Sequence, residues 1–440
     1  MQSSLALQNL NHQFSLRGQK TSNCETTIEM PRHRWHYYKE GFSPQLVEKA
    51  IDESDIGKRG IVLDPFNGGG TTTLTAALRG LRSIGLEVNP FTAFLAEAKL
   101  STASALSLRK VAKSIIDGAE RSSISPLNTF STFSEQSGRD KWLFNSSVLD
   151  AFEGGWQAAK NVKDPQVLKL CKLALLSSAM DNCNAVRDGK CLRYRPTWKE
   201  QRFNKYSFLS TLVDSFQAIH SDIQETRDKK FGQSRIYLGD AREILNTNTD
   251  ITDFNLCVTS PPYLNTFDYT DIYRPELFLG KFIKDNNELY KLRLKTVRSH
   301  VQAQWEKPTR TDFGFLFGNV IKHLNDHPEA LMDKKIPMMV QAYFEDMEKM
   351  LRLLLSKAKP NAQVWLVVSN SAYADLQIPV DLILGDIGSK VGWYLKEIGV
   401  LRHIHKRPTK HSSGITELRE SVVILTNNKG NRKPQLSLPY

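Results

Sequence analysis

The sequence predicts an α/β fold built on a seven-stranded, mostly parallel sheet with helical insertions. Three observations carry that expectation. Short apolar runs precede helical patterns at Ile61 to Asp64, Arg82 to Glu87, Arg235 to Leu238, Phe254 to Val258 and Gln363 to Val368, and strands that alternate with helices form parallel sheets. The first run leads into Gly68-Gly69-Gly70 and a helix start, while the second ends in an acid, Glu87. Two later runs, Trp393 to Ile404 and Glu420 to Thr426, read as a closing antiparallel pair. Crossover rules favour a right-handed, doubly wound sheet whose strand ends bring Gly68, Glu87, Asp240 and Ser260 to one crevice.

Length and composition bound the answer. With 440 residues the chain can bury a full core and hold two structural regions. It carries 59 Lys plus Arg against 47 Asp plus Glu, a net charge of +12. That excess suits a polyanionic partner, although a plain soluble basic protein carries it too. Five cysteines include no C-x-x-C pair, so neither a disulfide framework nor a zinc site is expected, and a reducing compartment is the simpler reading. The first twenty residues are polar and lack an apolar signal core. No apolar run approaches the ~18 residues that span a membrane. The expectation is a cytoplasmic protein with no metal and no membrane segment.

Residues 1–30 are polar and without period, as in a flexible arm. Pro31 to Lys39 is basic with aromatics interleaved; it either touches a phosphate backbone or packs on the domain edge. At Phe42-Ser43-Pro44 a helix opens, with Ser43 as N-cap and Pro44 at the first helical position. The triple glycine after Ile61 to Asp64 makes a tight turn where backbone can approach a ligand, since no Cβ intrudes. Asp64 before it and Glu87 about twenty residues later complete a dinucleotide-type pattern, with the acid placed for ribose hydroxyls; a plain β–α turn is the alternative. Asp240 follows the strand at 235–238 and reads either as a cofactor contact or as a helix N-cap.

The stretch 101–230 is too long for a simple connection. Leu106 to Ile116 and Val167 to Met180 show helical periodicity there, so it is expected to be a helical insertion. Its end, Arg187 to Lys199, holds five basic residues with a tyrosine and a tryptophan. Arg187, Lys190, Arg193, Tyr194 and Arg195 are the leading nucleic-acid contacts, against a solvated loop joining two helices. Residues 271–358 form a second helical insertion. Its basic clusters, Lys291 to Arg298 and Lys307 to Arg310, are the other candidate recognition surface. A turn is expected at Ser356 to Pro360, a basic loop at His405 to Thr416 and a polar tail at 429–440. The catalytic domain is then assembled from 31–100, 231–270 and 359–428.

Thr259-Ser260-Pro261-Pro262-Tyr263 sits where the fourth strand ends. Its prolines remove two backbone donors and fix two φ angles. A stiff loop remains, with free carbonyls, a hydroxyl and a flat ring. Such a loop can accept hydrogen bonds from an exocyclic amine and stack against the base that carries it; an ordinary proline turn is the alternative.

Ser260 to Tyr263 and the string Asp64-Pro65-Phe66-Asn67-Gly68-Gly69-Gly70-Thr71-Thr72 together resemble the paired signatures of the DNA amino-methyltransferases, (D/N/S)-P-P-(Y/F) and D-P-F-x-G-x-G-T-T. Asn265 to Tyr269 matches their N-x-x-D-Y extension. The resemblance covers the catalytic half of the chain and not the target-recognition half. It implies a Rossmann-like class I fold and S-adenosylmethionine held by Asp64, Pro65, Phe66, Gly68, Gly70, Thr71, Thr72 and Glu87. Asp240 would meet the cofactor's adenine amine, and Phe42 would cover its methionine end. Ser260, Pro261, Pro262 and Tyr263 would form the catalytic loop. Double-stranded DNA is the implied substrate and a cognate restriction endonuclease the implied partner, in the cytoplasm of a prokaryotic cell. Family members with serine at the first loop position are mostly cytosine-N4 enzymes, so cytosine N4 is the leading target and adenine N6 the second. RNA guanine-N2 methyltransferases share similar loops, but usually carry D-P-P-Y and an N-terminal RNA-binding domain, for which there is no room before residue 60. Intact matches at both loops argue against a catalytically silent DNA-binding module.

Overall fold

The computed structural model describes residues 15–16, 24–188, 191–200, 203–405 and 414–428. Seven strands build its central sheet: β1 (Ile61–Asp64), β2 (Arg82–Glu87), β3 (Ser234–Leu238), β4 (Phe254–Thr259), β5 (Ala358–Ser369), β6 (Tyr394–His405) and β7 (Glu417–Thr426). Their order across the sheet is β3-β2-β1-β4-β5-β7-β6, and Ser15–Leu16 adds a short parallel strand beside β6. Pairs from β3 to β5 are parallel, and β7 runs antiparallel to both β5 and β6. The expected closing pair therefore forms, with its second strand inserted between the first and β5. This is the α/β, Rossmann-like class I architecture implied by the sequence.

Fourteen helices of the described residues matter for the site. They are α1 (Pro44–Ser54), α2 (Thr71–Leu78), α3 (Pro90–Lys99), α4 (Ala105–Arg121), α5 (Ser146–Ala159), α6 (Pro165–Asp181), α7 (Lys205–Thr226), α8 (Ala241–Thr247), α9 (Tyr269–Ile272), α10 (Arg274–Leu279), α11 (Asn286–Arg293), α12 (Phe315–Asp326), α13 (Ile336–Lys357) and α14 (Val380–Val391). Their starts follow the capping signals: Ser43 accepts from the Gln45 amide with Pro44 at the first position, and Asn89 accepts from the Phe91 amide.

Successive strand residues face opposite sides, as the pleat requires. Val62, Leu256, Val258, Trp365, Val367, Val422 and Ile424 pack against Leu46, Val47, Ala50 and Ile51 of α1. Their neighbours Leu63, Cys257, Val364, Leu366, Val423 and Leu425 join α12, α13 and α14 on the other side. Burial on both faces explains why these strands read as unbroken apolar runs. Helices α4 to α7 form a separate core together with α3. Within it α4 and α5 cross closely: a Cβ on Gly154 would lie 2.3 Å from the Gly118 carbonyl oxygen.

Several expectations need correction. Residues 271–358 are mostly helical and divide between two cores: α10 and α11 join the core of α4 to α7, whereas α13 packs in the sheet's own core as the crossover from β4 to β5. No turn occurs at Ser356 to Pro360, because α13 runs to Lys357 and β5 begins at Ala358. The arm at 1–30 lies mostly outside the described residues, and its described parts belong to the fold: a strand at Ser15–Leu16 and a 3-10 turn at Glu25–Ile28. Residues 429–440, most of the loop at 405–416 and Lys190 also lie outside the described residues. Among the described residues no helix is long and apolar enough to cross a membrane.

Candidate active site

The sheet changes its direction of winding between β1 and β4, the place where open α/β sheets bind ligands. Thr259 Oγ1 donates to Asp64 Oδ1 at 2.6 Å, and Thr72 Oγ1 donates to the Val258 carbonyl at 3.0 Å. These bonds fasten the loop after β1 to the end of β4. Above them lies a cavity of about 360 Å³ that both loops line.

From the first loop, Pro65, Phe66, Gly68 and Thr71 face the cavity, while Asp64, Gly70 and Thr72 do not. Asp64 is buried and also accepts from the Phe66 amide at 3.0 Å, so it shapes the loop. Burial pushes its carboxyl up to about 7, against the lowering effect of the Thr259, Thr72 and Phe66 hydrogen bonds. Gly70 has φ +84, and a Cβ there would lie 2.8 Å from Ala96 of α3. Gly68, at φ +48, and Gly69 lie under the Tyr38 side chain: a Cβ on Gly68 would lie 2.9 Å from its hydroxyl oxygen, and one on Gly69 2.9 Å from its ring. The glycines admit a protein ring as well as leaving the backbone open.

Glu87 faces the cavity with its oxygens on two amides, Gly68 at 2.6 Å and Asn89 at 2.8 Å. Burial raises its carboxyl above the usual range. Phe42 lines the same end. Lys99, which the sequence did not single out, is buried and donates to the Gly69 carbonyl at 3.1 Å; burial brings its ammonium down to about 7.

Asp240 lines the cavity, but its carboxylate is engaged as a helix cap. It accepts from the Arg242 amide at 2.8 Å and clasps the Arg242 guanidinium at 2.9 and 2.7 Å. Arg242 also reaches Asp346 of α13 at 2.7 Å and the carbonyls of Lys295 and Thr296. Asp240 thus caps α8 and lines the cavity at the same time.

Ser260, Pro261, Pro262 and Tyr263 all line the cavity. The Tyr263 hydroxyl donates to Glu420 Oε1 at 2.6 Å, and Arg402 Nε donates to the other Glu420 oxygen at 2.7 Å. Arg402 and Glu420 are cross-strand partners on β6 and β7, so the last hairpin holds the Tyr263 hydroxyl. Burial, reinforced by Glu420, holds the Tyr263 phenol well above its ordinary range, and it stays neutral. Further aromatics close the cavity. Tyr38 stacks on Tyr273 at 5.3 Å, and Phe267 meets Tyr269 edge-on at 4.6 Å. Phe267 and Tyr269 fall within the string Asn265 to Tyr269 and Tyr38 within the aromatic stretch at 31–39, whereas Tyr273 carries no local signal. Among the described residues no group of three His, Cys, Asp or Glu side chains could hold a metal ion.

The basic stretch at 187–199 is a small hairpin, Ala185–Arg187 paired with Leu192–Tyr194. Arg187 is not a surface residue. Its side chain is 11 % exposed, pairs with buried Glu276 of α10 and lies 4.4 Å over the Tyr273 ring. His36 shares Glu276 at 3.2 Å. Arg193 is 65 % exposed and pairs with Asp188 at 2.6 Å. Arg195 donates to the Cys183 carbonyl at 3.0 Å, and Tyr194 packs on Trp198. For Pro31 to Lys39, the packing alternative is realised: the Arg32 amide, the Arg34 guanidinium and Trp35 Nε1 all converge on Asp222 of α7. In the second insertion Arg293, Arg298 and Arg310 are held by Asp268, Asp346 and Glu348.

A family model described as DNA methylase matches residues 7–97, the part that holds the glycine loop. The chain is 28 % identical over 443 residues to the Type II methyltransferase M.BsoBI of Geobacillus stearothermophilus, covering 89 % of this chain and 85 % of that one. It is 27 % identical over 418 residues to the Type II methyltransferase M.AvaI of Nostoc sp. (strain PCC 7120), covering 87 % and 83 %. A third relative, the Type II methyltransferase M.MjaII of Methanocaldococcus jannaschii, is 34 % identical over 112 residues, which is 25 % of this chain and 19 % of that one. With both signature loops on one cavity, the chain is similar over most of its length to Type II DNA methyltransferases, and its residues 7–97 match the DNA methylase model.

Proposed function

We propose that the protein is an S-adenosylmethionine-dependent methyltransferase that modifies the N4 amine of cytosine within a specific DNA sequence, as the modification partner of a restriction endonuclease. The observation that carries this reading is the shared cavity: the Ser260 to Tyr263 loop and the loop after β1 open on the same space. The residues present fit the cofactor. Two glycines without Cβ atoms, the rings of Phe42 and Phe66, and one buried carboxylate line the end beside β1 and β2. Glu87 would hold the ribose hydroxyls, Phe42 the methionine end, and Pro65, Phe66, Gly68 and Thr71 the surface between. Asp64, Gly70 and Thr72 would act by shaping the loop. Asp240 would approach the adenine side as a member of the Arg242 network. Bound there, S-adenosylmethionine supplies a methyl group on a sulfonium that departs as a neutral thioether.

The chain's own groups then have one task, to make a poor nucleophile reactive. The lone pair of an exocyclic amine is delocalised into its ring. Ser260 Oγ and the Pro261 carbonyl accept hydrogen bonds from the two amine N–H groups and draw the nitrogen toward a tetrahedral shape; as the C–S bond breaks and the C–N bond forms, the one surplus proton passes from the nitrogen to solvent. Tyr263 stacks on the flipped base, with its ring held through Glu420. Positioning of this kind supplies several kcal/mol, up to about ten. Serine is a weaker acceptor than a carboxylate; that it favours cytosine rests on resemblance to serine-bearing family members. Arg193, Tyr194 and Arg195 of the small hairpin are the proposed DNA contacts. Ser260→Ala tests the assignment: turnover on duplex DNA should fall roughly tenfold to a thousandfold, if one oriented acceptor contributes about 1.4–4 kcal/mol. Cofactor affinity should change little. Wild-type turnover in this variant would remove Ser260 from the mechanism.

A further inference from the structure

Four acidic residues line the cavity: Glu40, Glu87, Asp240 and Glu420. Three of them have partners that account for their charge. Glu87 accepts from the Gly68 and Asn89 amides, Asp240 clasps Arg242, and Glu420 holds Arg402 and the Tyr263 hydroxyl. Glu40 differs from them. Its carboxylate accepts from the Tyr273 hydroxyl, and among the described residues it forms no ion pair. The two cations whose charge reaches it are engaged elsewhere: Arg187 pairs with Glu276, and Lys39 Nζ donates to the Arg187 carbonyl at 3.4 Å.

Glu40 is half-buried, and its carboxylate stands among phenols that line the same cavity. Burial raises the phenols of Tyr38, Tyr269 and Tyr273, and the charge of Glu40 adds to the rise in each. Tyr38 stacks on Tyr273 and lies over Gly68 and Gly69. Gly41, next in the chain, sits against the start of α2: a Cβ there would lie 3.5 Å from Thr71 Oγ1. Glu40 therefore belongs to the wall across from the glycine loop, two residues before Phe42. A carboxylate taken out of water is costly unless a cation or several donors meet it. One phenol supplies a single donor, whereas a carboxylate has room for about four. Burial accordingly raises the Glu40 carboxyl above its ordinary range, against the Tyr273 hydrogen bond and the charges of Arg187 and Lys39. The position calls for a cationic donor supplied from the cavity. S-adenosylmethionine carries two cations, a sulfonium without any N–H and a methionyl ammonium. Of the two, the ammonium completes the hydrogen bonding of a carboxylate.

We propose that Glu40 binds the methionyl ammonium of S-adenosylmethionine. The proposal rests on the cofactor reading above. The test is calorimetry on wild type and Glu40→Gln with S-adenosylhomocysteine and with its deamino analogue, the same molecule without the amino group. Glu40→Gln keeps the size of the side chain and an acceptor for Tyr273. It should weaken S-adenosylhomocysteine binding roughly tenfold to a hundredfold, as loss of a charge-assisted hydrogen bond does. Wild type should lose a similar factor on the deamino analogue, and Glu40→Gln should lose nothing further there. S-adenosylmethionine should show the same factor as S-adenosylhomocysteine. Wild-type affinity in Glu40→Gln, or an equal loss on the deamino analogue, would overturn the role of Glu40. A loss confined to S-adenosylmethionine would place the carboxylate at the sulfonium and overturn it as well. Should Glu40→Gln fail to fold, Glu40→Asp, which keeps the charge and shortens its reach, decides by the same comparison. A wild type that binds neither S-adenosylmethionine nor S-adenosylhomocysteine would instead overturn the cofactor reading beneath it.

Discussion

Glu87 occupies a site where one carboxylate serves two purposes. Its oxygens hold the Gly68 and Asn89 amides, and the same side chain faces the cavity. Charge-assisted bonds of this kind are each worth roughly 1.5–3 kcal/mol. Glu87→Ala should therefore weaken S-adenosylmethionine binding in calorimetry while the circular-dichroism spectrum stays that of the folded protein; unchanged affinity would remove Glu87 from the cofactor site. Legibility at this scale is uneven for a physical reason. A motif places a residue in a loop, but the hydrogen bonds of that loop decide which way its side chain points. Asp64 turns inward because Thr259 and the Phe66 amide bond it there. Asp240 is engaged by Arg242, two residues on. Arg187 is basic and near aromatics, as a phosphate-binding residue would be, yet the carboxylate it meets lies 89 residues away at Glu276. Glu420, which anchors Tyr263, stands 157 residues beyond it and has no signature of its own.

At the scale of elements, the strands and the two signature loops are legible because their apolar runs and glycines are local. The small hairpin at 185–194 reads in the sequence as a basic loop, since its strands have three residues each and do not establish a period. Of its proposed DNA contacts Arg193 is exposed and Tyr194 and Arg195 are half-buried, and a charge test separates these from its root. Reversing the charges of Arg193 and Arg195 together should weaken DNA binding and flatten its salt dependence by up to about 0.9 unit of log–log slope for each phosphate no longer neutralised. Cofactor affinity should not move. A slope equal to that of wild type would show the hairpin rim to be free of DNA and turn attention to Lys291 and Lys295, on the second basic cluster.

At the scale of the whole molecule, two cores meet across the cavity: the sheet with its flanking helices, and the bundle of α4 to α7 with α10 and α11. The stretch Pro31 to Lys39 is anchored on the second of these, where Trp35 is buried. Asp222, buried on α7, accepts from the Arg32 amide at 2.7 Å and from Trp35 Nε1 at 2.8 Å and pairs with Arg34. The Arg32 guanidinium also donates to the carbonyls of Lys99 and Ser101. Removing the carboxylate leaves buried donors unpaired, which typically destabilises by about 3–5 kcal/mol. Asp222→Ala should lower the denaturation midpoint accordingly, and a midpoint unchanged from wild type would show that this junction holds nothing. The class I sheet is legible in the chain itself; the sharing of one core by residues of both insertions is not, because it depends on helix faces that meet only in three dimensions. The proposed action on DNA is read out by mass spectrometry of nucleosides from DNA incubated with the purified protein and S-adenosylmethionine. N4-methylcytosine is the expected product. N6-methyladenine alone would contradict the choice of base, and unmodified DNA would contradict the proposed activity itself.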